Sequence, residues 1–342
     1  MPNITRRTFG ILSASALMSS ALPSFAQARG RVVVGTWGGD YQNLQQANIV
    51  DTVLKDSGLQ VVFDPAAETV RKSKILAERR LPRGTMDVAC MTRQGTYEMY
   101  VNGALEELDE SKVPNLAKVH PFLRTNYSVP HMYTGRVILY NPKEVNPAPT
   151  SYADLWDKRY AGRVGVIDIQ YQNTIESAAM IAGGGPSNVE PGKEKLLELK
   201  KQGVKIYPTN EAMAQALKTG EVVMCIMWNA RGFMWKNAGI DVDVAIPREG
   251  LALYISDVGV PKNAPNKEAA FAYLNAMLDE RPQAAFAAKM GYAPPNSTVK
   301  LDPALAAVIG YKADQQFVLP DLDYMAKIDA GLQSWWERDF KS

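Results

Sequence analysis

Histidine is almost missing from this 342-residue chain: His120 and His131 are the only two. Two imidazoles are thin material for a zinc centre or a histidine-based triad. Motifs that carry common chemistries are missing too. No G-x-S-x-G, H-E-x-x-H, P-loop or C-x-x-C occurs. The run Gly35-Thr36-Trp37-Gly38-Gly39-Asp40 fails the G-x-G-x-x-G dinucleotide pattern, and its indole would crowd a pyrophosphate. The adjacent acids Glu106-Glu107 read as solvated surface rather than as a glycosidase pair. Cysteine is equally scarce, and Cys90 and Cys225 each sit inside an apolar run that reads as an interior strand. Two such strands rarely place their thiols for a bridge, so both are expected to be buried and free. These absences argue for binding rather than catalysis, with no cofactor and no metal.

An excess of positive charge is also lacking. The chain holds 38 basic and 36 acidic residues. Two of the basic ones, Arg6 and Arg7, fall in an N-terminal segment that reads as a cleavable signal. There Thr5-Arg6-Arg7-Thr8-Phe9 precedes the mildly apolar run Gly10 to Leu22, and Ala26-Gln27-Ala28 offers small residues at peptidase spacing. The apolar run is too short and too rich in Ser, Gly and Ala to span a bilayer. Paired arginines before Thr-Phe resemble the bacterial twin-arginine signal, which implies export in the folded state to the periplasm. Removing residues 1–28 leaves the charges balanced, with no basis for nucleic-acid or polybasic membrane contact. The exported product is expected to be soluble.

The remaining roughly 314 residues suit two domains better than one. Arg31 to Trp37 is a strand too apolar to have one solvated face, Gly38-Gly39 breaks it, and Asp40 can cap a helix starting at Tyr41. A strand over 60–63, a charged helix over 70–80, a strand over 86–91 and a helix over 97–105 follow. This alternation predicts a parallel sheet with crossover helices. After the long extended run Val129 to Tyr140, Asn141-Pro142 and Pro147-Ala148-Pro149 punctuate the chain and a second series begins. It places strands over 163–167, 204–207 and 222–228, with helices near 174–182 and 211–217. Residues 252–255 and 258–261 read as extended, and Asn266 as the cap of an amphipathic helix through Leu278. The fold class is therefore α/β, with two lobes, each a mainly parallel sheet flanked by helices, and a cleft between them. Ligands in such folds sit at the carboxyl ends of strands.

The strand-end residues are distinctive. Trp37 and Tyr41 bracket the first turn, and Met227-Trp228-Asn229-Ala230-Arg231-Gly232-Phe233 ends a central strand. Pro247-Arg248-Glu249-Gly250 leads into Tyr254-Ile255-Ser256-Asp257, and Val260-Pro261-Lys262-Asn263-Ala264-Pro265 follows. Gly291-Tyr292-Ala293-Pro294-Pro295-Asn296 closes the series, and Thr150 to Trp156 with Tyr160-Ala161-Gly162 lies before it. Taken in order, this set resembles the extracellular solute-binding proteins of ABC importers, closest to the spermidine/putrescine-binding branch. The resemblance covers essentially the whole chain after the signal. It implies a two-lobe hinged receptor that closes on its ligand and is read by inner-membrane permease subunits, working as a monomer without enzymatic activity. It also implies boundaries: residues 29–134 with 257–300 in lobe 1, and 135–256 with 301–342 in lobe 2, Trp335 and Trp336 anchoring the tail.

In polyamine binders, aromatic walls hold the methylene chain and carboxylates hold the ammonium ends. Carried over, Trp37, Tyr41, Trp228, Tyr254 and Tyr292 fall on aromatic wall or rim positions and Thr92 on a hydroxyl position. Tyr171, Arg231 and Asp257 complete the expected ligand-binding set. An aromatic face attracts an amine by about 0.5 to 2 kcal/mol. The acids depart from the pattern. Asp168 comes one step early, Gln172 replaces an acid, and Ser256 stands where an acid is expected, with Asp257 beside it on the opposite strand face. One acid with Arg231 suits a zwitterion such as a short ω-amino acid better than a long polyamine. A ferric-ion or phosphonate receptor of the same superfamily, or a secreted enzyme on the same scaffold, are the alternatives. The sequence shows neither a tyrosine pair for iron nor a nucleophile–base pair.

Overall fold

The computed structural model describes residues 30–311 and 315–342, so the signal reading of residues 1–28 lies outside the described part. Ten strands organise it: β1 Gly30–Thr36, β2 Leu59–Pro65, β3 Val88–Thr92, β4 Val129–Tyr140, β5 Val164–Ile167, β6 Lys205–Tyr207, β7 Met224–Trp228, β8 Asp243–Ala245, β9 Leu251–Gly259 and β10 Phe317–Val318. The order across the main path is β2-β1-β3-β9-β4-β7-β5-β6, with β8 on β4 and β10 on β9. At one end β2, β1 and β3 run parallel, and at the other β7, β5 and β6 do. The two antiparallel strands β4 and β9 join them. The fold is a two-lobed α/β architecture, and no helix among the described residues is long and apolar enough to cross a membrane.

Strand β4 shows how one segment serves both halves. All twelve of its residues are buried, so neither face meets water. Residues 129–135 pair with β9, and residues 136–140 pair with β7. The switch falls at Gly135, where a Cβ would lie 1.9 Å from Leu251 Cδ2. A side chain there would displace the fully buried Leu251 side chain, so glycine lets the two strands pack closely at the crossing.

Two large cores result. One gathers Val32, Val34, Val88, Leu123, Val258, Leu274 and Phe286, and the other Ile138, Tyr152, Leu155, Ile175, Leu196 and Phe340. Trp336 is fully buried in the second, its Nε1 donating to Asp168 Oδ1 at 2.7 Å, while Trp335 packs half-buried beside it. Cys90 and Cys225 are buried and free, one in each parallel end.

Several local readings change. Asp40 does not cap: Gly38, with φ +78°, precedes the helix and Asp40 lies in its first turn, where its charge favours the helix N-terminus. Asn266 does not cap with its side chain either. Its backbone N–H and side-chain amide both donate to the buried Asp87, which also accepts from the Val33 N–H. The two extended runs near 255 merge into the single strand β9. Among the described residues, five α-helices lie where the periodicity placed none: Glu190–Lys201, Asn229–Asn237, Glu280–Met290, Pro303–Ile309 and Leu322–Trp335.

Candidate functional site

A cavity of about 620 Å³ opens where the two parallel ends face one another. Strands β1, β3, β5 and β7 all finish at it, so each wall is built by the residues just past a strand end. From β1 come Trp37 and Tyr41, edge to face with ring centres 4.9 Å apart. The Tyr41 hydroxyl shares a 2.6 Å hydrogen bond with His131 Nδ1, which fixes the phenol from behind. Burial drives His131 down to about 3, so its imidazole is neutral at any ordinary pH.

Thr92 ends β3 and caps the helix Arg93–Val101, its hydroxyl accepting from the Gly95 N–H at 3.1 Å. The same residue donates twice to Glu68, from its hydroxyl at 2.8 Å and its backbone N–H at 3.0 Å. Glu68 opens the helix Glu68–Glu78.

From the other parallel end, Trp228 ends β7 and Arg231 follows within the first turn of the helix Asn229–Asn237. Trp228, Tyr254 and Tyr292 form an aromatic series with ring centres 5.2 and 6.1 Å apart. Burial raises the Tyr254 phenol well above its usual value, leaving a neutral hydroxyl. Arg231 has a single loose partner among the described residues, Glu211 at 3.7 Å.

The cavity wall thus brings together Trp37, Tyr41, Thr92, Trp228, Arg231, Tyr254 and Tyr292. Two expected residues stand off it. Asp257 is fully buried behind the wall, where Arg93 grips both oxygens and Thr96 and Ser128 donate as well. Its carboxylate is saturated by the protein because it sits on the inward face of β9. The Tyr171 hydroxyl donates to Asp329 Oδ1 at 2.5 Å, so it fastens the helix Leu322–Trp335. Asp168 is consumed likewise, accepting from Trp336 and from Lys341 Nζ at 2.7 Å.

Sequence reasoning missed Arg136 and Glu176. They line the cavity as a buried pair at 2.8 Å, with Asn173 and Ser177 accepting further guanidinium hydrogens. A signal existed: Arg136 is the one permanently charged residue in the twelve-residue run of β4, and a buried charge must be paired. No group of three metal-ligating side chains occurs among the described residues.

Residues 48–316 match the family of bacterial extracellular solute-binding proteins, and the chain belongs to that family. It is 26% identical over 273 residues to the spermidine/putrescine-binding periplasmic protein of Escherichia coli K12, covering 75% of this chain and 77% of the relative. Against the spermidine/putrescine-binding periplasmic protein 1 of Haemophilus influenzae it is 24% identical over 304 residues, 85% of this chain and 80% of the other. Among solved structures, a GABA receptor superposes with a TM-score of 0.78 at 24% identity, over 90% of this chain and 96% of that one. The spermidine/putrescine ABC transporter substrate-binding protein of Streptococcus pneumoniae gives 0.73 at 21%, over 90% and 98%. Both structures share the two-lobe fold.

Proposed function

We propose that this chain is the periplasmic receptor of an ABC importer, capturing a small amine-bearing solute, a polyamine or a short ω-amino acid, and presenting it to the permease. The observation that carries the reading is the aromatic series Trp228–Tyr254–Tyr292 with Trp37 and Tyr41, drawn from both lobes around one cavity. Stacked π-faces hold methylene chains by apolar burial and draw an ammonium by its charge. The relatives bear names of polyamine binders, which supports the same class.

The working cycle is binding without chemistry: ligand stabilises the closed arrangement, and the permease reads closure. Residues 29–134 with 257–300 act as lobe 1 and 135–256 with 301–342 as lobe 2. The change of partner along β4 after Gly135 supports the boundary at 134, and the burial of Trp336 supports placing the tail in lobe 2. Export as a folded monomer through Arg6 and Arg7, with cleavage near residue 28, belongs to the same proposal.

A thermal-shift screen tests it, since a ligand of the native state alone raises the melting temperature. Putrescine, spermidine, ω-amino acids, alkylphosphonates and ferric ion form the panel. At least one amine should stabilise the protein at micromolar to millimolar concentration. Stabilisation by ferric ion or phosphonates alone would reject the amine reading.

A further inference from the structure

The charges around the cavity do not balance, and the imbalance selects a ligand. Four charged side chains line the wall: Arg93, Arg136, Arg231 and Glu176. Arg93 is neutralised by Asp257 and Arg136 by Glu176. Arg231 keeps its charge, because Glu211 approaches only to 3.7 Å from an exposed position. On the opposite lobe, Glu68 has the reverse condition. It accepts from the Thr92 amide and hydroxyl and feels the charge of the buried Arg71, but among the described residues no basic group reaches it within ion-pair distance. One guanidinium therefore has only a loose partner and one carboxylate no ion pair, at strand ends belonging to different lobes.

The tryptophans add to this. Arg71 lies with its guanidinium carbon 5.0 Å from the Trp37 ring centre, and Arg136 stands 5.6 Å from that of Trp228. Arg71 is buried behind the wall and spends its donors on the carbonyls of Cys90, Thr36 and Ala66, while Nη2 has no partner. Both indoles thus already attract a cation of the protein. A second cation on either ring meets like charge, which reduces what the ring can offer an ammonium. With Arg71 and Arg231 set against Glu68, the surroundings of the cavity carry net positive charge, unfavourable to a dication.

We infer that the ligand is a zwitterion bridging the lobes, its carboxylate held by Arg231 and its ammonium drawn to the corner formed by Thr92 and Glu68. This rests on the receptor reading above and narrows it from amines in general to amino acids. A planar guanidinium with free donors matches a carboxylate in two-pronged fashion. Thr92 lines the cavity and its hydroxyl donates to Glu68, which does not line it, so the ammonium is placed at the hydroxyl with the carboxylate beyond it. Each end of the ligand would engage a different lobe, so binding and closure are the same event.

Titration calorimetry with three four-carbon probes separates the possibilities: putrescine with two ammonium groups, 4-aminobutanoate with one of each charge, and succinate with two carboxylates. The wild-type protein should bind 4-aminobutanoate at least about tenfold tighter than putrescine. Arg231→Gln should weaken 4-aminobutanoate on the order of 10- to 100-fold, the loss of a charge-assisted hydrogen bond, and leave or improve putrescine. Glu68→Gln should weaken 4-aminobutanoate and leave succinate unaffected. Arg231 is partly exposed and loosely paired, so an unchanged urea melt for its variant confirms that folding is intact. Putrescine binding tightest would overturn the zwitterion inference and keep the amine receptor. Succinate binding tightest would overturn both, and no binding of any probe up to millimolar concentration counts against both.

Discussion

Arg93 and Asp257 form a two-pronged ion pair at 2.7 and 3.0 Å, with the carboxylate wholly shielded from water. The pair ties the first turn after β3 to the middle of β9. Breaking a buried pair strands one charge, which costs far more than the pair is worth in place. Asp257→Ala should therefore lower folding stability by about 3 to 5 kcal/mol in urea melts. A variant that keeps its stability and loses only ligand affinity would restore Asp257 to the binding surface.

Trp228 plays two parts. It lines the cavity yet is only 7% exposed, packed between Tyr254 and Arg136. Trp228→Ala should weaken ligand binding by on the order of 1 to 3 kcal/mol and also cost about 3 to 5 kcal/mol of stability. Trp228→Phe should recover most of the stability. Calorimetry and urea melts on both variants separate the parts, and undiminished affinity in the alanine variant would remove Trp228 from the site.

Across the mouth of the cleft, the Tyr97 hydroxyl donates to Asp323. The first sits on the helix after β3 and the second on the helix Leu322–Trp335, whose neighbours Pro320, Leu322 and Met325 line the cavity. Tyr97→Phe removes that bond and no cavity contact. Stopped-flow dissociation should become faster with association little changed, and small-angle scattering should still show a smaller radius of gyration with ligand than without. Identical release rates would show that this bond does not hold the closed form.

His131 sets a pH dependence. Burial lowers it to about 3 in the folded protein, whereas an unfolded chain protonates near 6.5. Its contribution to stability is thus complete above about pH 6.5 and is lost as pH falls toward 3, at up to about 1.4 kcal/mol per pH unit. His131→Gln should flatten the fall in urea-measured stability between pH 7 and pH 5. An equally steep fall in the variant would assign it to other groups.

Much of this fold was legible because its strands are continuous apolar runs ended by Gly, Pro or polar residues. The twelve residues Val129–Tyr140 form β4 without a shift at either end. The helices missed lack that contrast: Glu190–Lys201 is mostly charged, and Pro303–Ile309 is short and small-residued. For the site, residues just past a strand end were readable, since topology alone puts Trp37, Thr92 and Trp228 at the cleft. The electrostatics were not. Whether Asp257 faces ligand or Arg93 depends on a partner 164 residues away, and no local pattern carries that information. The same holds for Glu68, whose nearest contact, Thr92, lies 24 residues on.

The interleaving of β4 and β9 also constrains the order in which the molecule can be made. Strand β3 ends at residue 92, yet its neighbour in the sheet, β9, begins at Leu251. A ribosome delivering this chain from its N-terminus cannot leave behind a finished first half, because that half keeps an open sheet edge until nearly three quarters of the chain has been synthesised. Both halves must be completed together, from contacts far apart in sequence, and such topologies assemble slowly. Until then the unpaired edge of β3 is available to any other strand it meets. Production of the protein should therefore depend on what shields that edge during synthesis as much as on the stability of the finished molecule.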